Sequence, residues 1–230
     1  MTTAIIGAGV MGEALLSGLL RAGVANSDLL IADRRIERSA EVTEKFGVHN
    51  GTNQEVARQA ETAVLVVKPQ DMATVLGEIK DAIRPGALVI SLAAGITTSF
   101  IENLLPAGTP VVRVMPNTPA LVDQGMAAIN SGSHCTEAHL QTAETLLRSV
   151  GHVVRVPEKY QDAVTAISGS GPAYIFYVVE AMIEGGVMLG LPRDVANELV
   201  LQTVIGAATM LRETGEHPTV LREQVTSPGG

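Results

Sequence analysis

Aromatic side chains are scarce in this sequence, with no Trp, three Phe and three Tyr among 230 residues. A core so short of rings has to be filled by Ala, Val, Leu, Ile and Met at close backbone spacing, which suits packed helices or a helix-covered sheet. Cysteine is reduced to Cys135, and a single thiol excludes a disulfide scaffold. Basic residues are outnumbered, 16 Lys+Arg against 24 Asp+Glu, for a formal net charge of −8. A surface of that sign does not attract polyphosphate backbones, so no nucleic-acid partner is expected. The first residues, Met1-Thr2-Thr3, carry no basic side chain and run into a short apolar stretch broken at Gly7, unlike a signal peptide. The most apolar stretch, 173–191, contains Glu180 and Glu184 and is expected not to span a bilayer. A cytoplasmic protein is the resulting expectation. What the chain does have is aliphatic, 46% hydrophobic residues with 23 Gly, enough for a real core in one large domain or two small ones.

Two textures follow each other along the chain. Short β-rich runs at 4–6, 29–32, 63–67, 88–92, 111–115, 126–129 and 153–156 alternate with helical stretches, in the rhythm of βα units. The early runs are almost uninterrupted Val, Ile, Leu and Ala, as central parallel strands buried on both faces require. Gly47 closes the helical pattern Ile36–Phe46, and Arg84-Pro85-Gly86 is a turn. After Pro157 the β-rich runs stop, and 173–189 and 193–213 read as long helices separated by Gly190-Leu191-Pro192, with a third beginning near Pro218. The predicted fold class is therefore α/β, an N-terminal Rossmann-like doubly wound sheet (1–157) followed by an all-helical domain (158–230). The helical part has nine acidic and four basic residues, so it holds −5 of the net charge.

Gly7-Ala8-Gly9-Val10-Met11-Gly12 follows the first strand and opens a helix with Leu15, Leu16 and Leu19 on its apolar side. Gly7 allows a tight turn, Gly9 close approach of a pyrophosphate, and Gly12 packing of the helix on the strand. Free N–H groups at the helix start then face the phosphates. The second strand ends in Asp33-Arg34-Arg35. Asp33 suits a ribose 2′-hydroxyl and hence NAD, whereas Arg34 and Arg35 suit the 2′-phosphate of NADP. Two adjacent arginines in an acidic protein favour NADP, with NAD tolerated. Later strand ends supply Val67-Lys68-Pro69, the small-residue loop Ala93-Ala94-Gly95, and Asn117 between Pro116 and Thr118-Pro119. Together these loops describe one crevice at the carboxyl edge of a sheet.

Several segments together resemble pyrroline-5-carboxylate reductase: the glycine loop, Val66-Val67-Lys68-Pro69-Gln70, Ser91 to Ile96, Arg113 to Pro119, Asp162 to Tyr174 and the terminal Val225 to Gly230. The resemblance covers essentially the whole chain in order. It implies reduction of 1-pyrroline-5-carboxylate to L-proline by NADPH or NADH. It places Val67, Lys68 and Pro69 along the nicotinamide ribose, Ala93, Ala94 and Gly95 at the nicotinamide end, and Asn53 near the adenosine half. It gives Ser227, Gly229 and Gly230 the substrate carboxylate. It also implies that the helical domain builds a homodimer, often assembled further into a decamer. Family members continue beyond the point where this chain stops, so the helical domain is expected to be truncated at its C-terminus. The resemblance names no catalytic acid. A protonated imine is already electrophilic, and positioning with charge complementarity suffices. The five His show no relay pairing, and His134, Cys135 and His139 are read as solvated residues rather than a metal site. Two rival readings are a β-hydroxyacid dehydrogenase, whose base is a lysine of the helical part where this chain has only Lys159, and a non-catalytic NAD(P)-binding module.

Overall fold

The computed structural model describes residues 1–228. Two compact units divide the chain, Met1–Pro172 and the segment from Ala173 onward. The first contains strands β1 (Thr3–Ile6), β2 (Leu29–Ala32), β3 (His49–Asn50), β4 (Thr62–Leu65), β5 (Leu88–Ser91), β6 (Val111–Met115), β7 (Gly125–Ser131) and β8 (Gly151–Arg155). Its helices are α1 (Val10–Arg21), α2 (Ile36–Phe46), α3 (Asn53–Gln59), α4 (Met72–Ile79), α5 (Thr98–Glu102), α6 (Glu137–Arg148) and the single turn α7 (Gln161–Val164). The strands form one sheet in the order β3-β2-β1-β4-β5-β6-β7-β8. Pairing is parallel throughout except between β6 and β7.

Period-two alternation of apolar side chains explains the layering. Ile5, Ile31, Val64, Ile90 and Val112 face the layer of α1 and α6, where Leu15, Leu16, Leu19, Ala143, Leu146 and Leu147 are buried. Ala4, Ile6, Leu30, Leu65, Val89 and Val111 face the other layer, where Val56 of α3, Met72, Leu76 and Ile79 of α4, and Ile101 of α5 cover them. Each of these large aliphatic residues contributes about 1.5–3 kcal/mol by leaving water. The doubly wound sheet expected from the sequence is present. Two departures are physical. β3 is a two-residue exposed edge without apolar signal, and β4 ends at Leu65, two residues before its hydrophobic run stops.

The glycine-rich segment after Thr165 does not interrupt the helix as a break would. It widens into a π turn over Thr165–Gly169, with the Ser170 N–H donating to the Thr165 carbonyl at 2.8 Å. Helix α8 (Gly171–Met188) follows, then α9 (Arg193–Thr214) and α10 (Pro218–Val225). Pro192 stands immediately before α9, and Gly215 in left-handed conformation ends it. By length and composition alone, the helical run Glu158–Met188 is long and apolar enough to cross a membrane.

Candidate functional site

Strand register brings the predicted loops together. Ile6 stands opposite Ala32 on one side and Leu65 on the other, Leu65 opposite Ser91, and Ser91 opposite Arg113. These residues form one row across the sheet, so the parallel strands that share it end at one edge. The loops beginning at Gly7, Asp33, Val66 and Leu92 therefore leave from adjacent points. β1 and β4 lie side by side although β2 and β3 intervene in sequence, which makes this edge the point where strand order reverses. Ligands of doubly wound sheets bind in the crevice created there.

The glycine loop is set by steric limits. Gly7 has φ +109°, and a Cβ there would run into the Val66 carbonyl; one on Gly12 would run into the Gly7 carbonyl. Both glycines are thus required for α1 to seat against β1. Gly9 differs, because a Cβ on it would meet nothing within 4 Å. Space is open over the backbone where a pyrophosphate would approach. The first bond of the α1 ladder runs from the Glu13 N–H to the Gly9 carbonyl at 2.9 Å. The N–H groups of residues 9–12, including Val10 and Met11, precede that ladder and are free for an anion. The site thus fits a dinucleotide.

Ala8 is held from both sides of its peptide. Its N–H donates to Asp33 Oδ2 at 2.9 Å, and its carbonyl accepts from Arg38 Nε at 2.8 Å. Arg38 also pairs with Glu13, which accepts from Lys45 Nζ at 2.7 Å. The Lys45 hydrogen bond, joined by Arg38 and opposed by burial, holds the Glu13 carboxyl below its usual range. This brace from α2 onto the loop was missed by sequence reasoning. The available signal was an arginine and a lysine seven residues apart on one helix facing an acidic residue in the first turn of another.

Asp33 Oδ1 accepts from the Arg35 N–H at 2.9 Å and from Arg35 Nε at 3.2 Å. Burial works against its charge, but the Arg35 and Ala8 donors outweigh it and keep the carboxyl below the ordinary aspartate range. Both oxygens are therefore engaged within the protein, and the Asp33 side chain is only 8% exposed. Arg34 and Arg35 are 73% and 58% exposed, with Arg34 3.4 Å from Asp71. The charge offered to a ligand at this strand end is positive.

Lys68, Pro69 and Gln70 are exposed, and Val67 is half-buried. Ala93 is buried, while Ala94 and Gly95 are exposed, with Gly95 at φ +75°. Asn53 sits at the first turn of α3, behind the Thr52–Glu55 capping box, and its amide donates to Glu78 at 2.6 Å. Asn117 has its amide committed: Oδ1 accepts from the Met126 N–H at 2.8 Å, and Nδ2 donates to the Ser168 carbonyl at 3.2 Å. In this conformation it ties the β6 loop to β7 and to the π turn. Ser227 is exposed just after α10, whereas Gly229 and Gly230 lie outside the described residues. No cluster of His, Cys, Asp or Glu suited to a metal occurs among the described residues.

Comparison with known proteins agrees with this arrangement. Residues 158–230 match the family model described as pyrroline-5-carboxylate reductase dimerisation, and residues 2–95 that described as NADP oxidoreductase, coenzyme F420-dependent. A pyrroline-5-carboxylate reductase of Corynebacterium melassecola is 45% identical over 100% of this chain and 86% of its own length. The solved structure of a pyrroline-5-carboxylate reductase from Coxiella burnetii superposes with a TM-score of 0.93 at 38% identity, covering 100% of this chain and 86% of that one. A Plasmodium falciparum pyrroline carboxylate reductase, solved with NADP bound, gives a TM-score of 0.88 at 30% identity with the same coverage. At this level of identity over the full length, the chain belongs to the pyrroline-5-carboxylate reductase family.

Proposed function

We propose that this chain reduces 1-pyrroline-5-carboxylate to L-proline, with NADPH as preferred reductant and NADH accepted less well. The observation that carries the reading is the single edge of strand ends in register, with free N–H groups over residues 9–12 and two exposed arginines at the end of β2. Bound there, the nicotinamide supplies the hydride that converts the C=N bond of the imine into an amine.

The chain's own residues hold and orient. Gly7 to Gly12 receive the pyrophosphate, Arg34 and Arg35 the 2′-phosphate, and Asn53 lies toward the adenosine half. Asp33 is a brace for Ala8 in this assignment, and its engagement with Arg35 is what disfavours reading of a free 2′-hydroxyl. Val67, Lys68 and Pro69 run along the nicotinamide ribose, and Ala93, Ala94 and Gly95 leave room for a flat ring because none has a bulky side chain. Asn117 positions the loop beneath that ring. Ser227, with Gly229 and Gly230, takes the substrate carboxylate through backbone and hydroxyl donors, the local offset that a chain of net charge −8 needs for an anionic substrate.

The division of labour runs at 157/158, with a dinucleotide domain before it and a dimerisation and substrate domain after it, supported by the residue at which the dimerisation match begins. The assembly is a homodimer or a multiple of it such as a decamer, in the cytoplasm. Glu180 and Glu184 within α8 make membrane insertion costly. The test is NADPH oxidation by the purified chain with and without 1-pyrroline-5-carboxylate. Substrate-dependent loss of NADPH absorbance supports the reading, and absence of it with NADPH and NADH alike rejects it.

A further inference from the structure

Arg113 is an anomaly in the β6 sequence, a charged residue in an apolar strand with its side chain only 6% exposed. A buried guanidinium needs a partner. It finds one in Glu158, whose Oε1 accepts from Arg113 Nη1 at 3.1 Å. The same carboxylate reaches the loop after β5, with Oε1 accepting from the Thr98 N–H and Oε2 from Thr98 Oγ1, both at 2.9 Å. Thr98 is itself buried and is the first residue of α5. It follows the loop of Ala93, Ala94 and Gly95 after Ile96 and Thr97; Ala93 and Ile96 pack on the core, but the tip between them, Ala94 and Gly95, is exposed and has no side chain large enough to anchor it. Three hydrogen bonds, two from Thr98 and one from Arg113, thus meet in one acidic side chain. Nearby Gln161, fully buried, donates from Nε2 to Asn130 Oδ1 at 2.8 Å and fastens the same segment to β7.

We propose that Glu158 is a positioning residue for hydride transfer, a latch that fixes the nicotinamide-end loop through Thr98 and is itself fixed by Arg113. The inference rests on the proposed placement of the nicotinamide at residues 93–95. Glu158 touches neither cofactor nor substrate in this role; it adds a polar tie, through Thr98, to a loop whose tip at Ala94 and Gly95 has no anchor of its own beyond the flanking apolar contacts of Ala93 and Ile96. Burial works against charge on Glu158, but the Thr98 donors and Arg113 outweigh it and keep the carboxyl below its ordinary range, in keeping with a carboxylate that is fully engaged. Because 158 is also the first residue of the dimerisation match, the latch joins the cofactor loop to the opening of that segment.

The discriminating measurement compares two ligands on the full chain carrying Glu158→Gln. One is NADPH; the other is 2′-phospho-ADP-ribose, which has every part of NADPH except the nicotinamide. Loosening the loop is expected to weaken NADPH about fivefold and lower kcat about tenfold while leaving 2′-phospho-ADP-ribose within about twofold of wild type. Equal weakening of both ligands, or neither weakened with kcat unchanged, overturns the latch. If Glu158→Gln does not fold, Thr98→Val deletes one hydrogen bond and no charge. It should give the same one-sided loss, about threefold, and a Thr98→Val enzyme like wild type also overturns the proposal. Failure of the wild-type chain to reduce 1-pyrroline-5-carboxylate while the two ligands still separate would reject the substrate reading and leave the latch standing.

Discussion

The two units of this chain handle their apolar residues in opposite ways. In the first, strand residues such as Ile5, Ile6, Leu65 and Ile90 are covered on their own face of the sheet, and helices supply the cover from the same chain. In the second, Ala196 and Val200 are the buried apolar residues among those described, while Phe176, Tyr177, Leu199 and Ile205 stand more than half exposed. Both units are similarly rich in apolar residues, so hydrophobicity alone does not distinguish them. What differs is closure. A parallel sheet with helices on both faces consumes its apolar surface internally, whereas helices without such a sheet leave theirs for another copy. Homo-oligomer formation through the helical unit follows from this surface and from the dimerisation match.

The largest test of that contrast is a charge placed where each unit differs. Ile205→Asp sits on an exposed position of α9 and costs the isolated chain little. If a second copy covers it, the buried carboxylate should weaken association by about 3–5 kcal/mol, a rise in the dissociation constant of about a hundredfold to a few thousandfold. Sedimentation at micromolar concentration should show monomer for this variant and dimer or larger for wild type. NADPH binding, a property of the first unit, should survive within about threefold. Unchanged sedimentation would mean that α9 is not the covered face.

A smaller effect is expected from a methyl group in the self-contained unit. Gly12→Ala drives a Cβ into the Gly7 carbonyl, so α1 must move away from β1. The cost should be about 1–3 kcal/mol in stability, with NADPH binding weakened about tenfold or more because the N–H groups of residues 9–12 shift with the helix. Calorimetry and fluorescence titration read the two quantities, and oligomeric state should not change. An enzyme that tolerates Gly12→Ala without either loss would contradict the tight seating of α1.

Much of this is legible in the sequence alone. Seven of the strands announce themselves as short runs rich in Val, Ile, Leu and Ala, most clearly β1, β2, β4 and β5, which are buried on both faces, and β3 does not because His49 and Asn50 lie at an exposed edge. The glycine loop was readable because its spacing is a local pattern, with Gly12 against the Gly7 carbonyl five residues before it, although the Val66 carbonyl that restricts Gly7 is set by the fold. The Ala8 brace, the commitment of the Asn117 amide and the Glu158 latch were not, since each joins residues far apart in sequence through a side chain whose partner only the fold selects. Arg113 was the exception that offered a hint: a lone charge in an apolar strand demands a buried acid, although the sequence does not say which one.

Smaller again is the effect at the end of β2. Arg34→Ala and Arg35→Ala should each raise the KM for NADPH about tenfold, near 1.4 kcal/mol, and that for NADH by less than about twofold. Arg35→Ala should be the less selective of the two, since Arg35 also braces Asp33. Equal effects on both cofactors would remove the 2′-phosphate assignment and return the site to a ribose hydroxyl.

The smallest expected difference concerns acid. Asp33 in the first unit and Glu184 in the second are both held below their ordinary carboxyl ranges, Asp33 against burial by Arg35 and Ala8 donors, Glu184 by Arg193. A depressed folded-state pKa means that the unfolded chain binds the proton more readily, so the stabilisation is complete above the unfolded pKa and is lost as pH falls through the folded value. The Asp33 side chain is 8% exposed and the Glu184 side chain 53%, so solvent screens the second far more. Thermal unfolding followed between about pH 5 and pH 3 should therefore lose slope in Asp33→Asn and hardly change in Glu184→Gln. Equal slopes would mean that the exposed pair contributes as much as the buried one, and the contrast between a closed unit and an open one would then not extend to its charges.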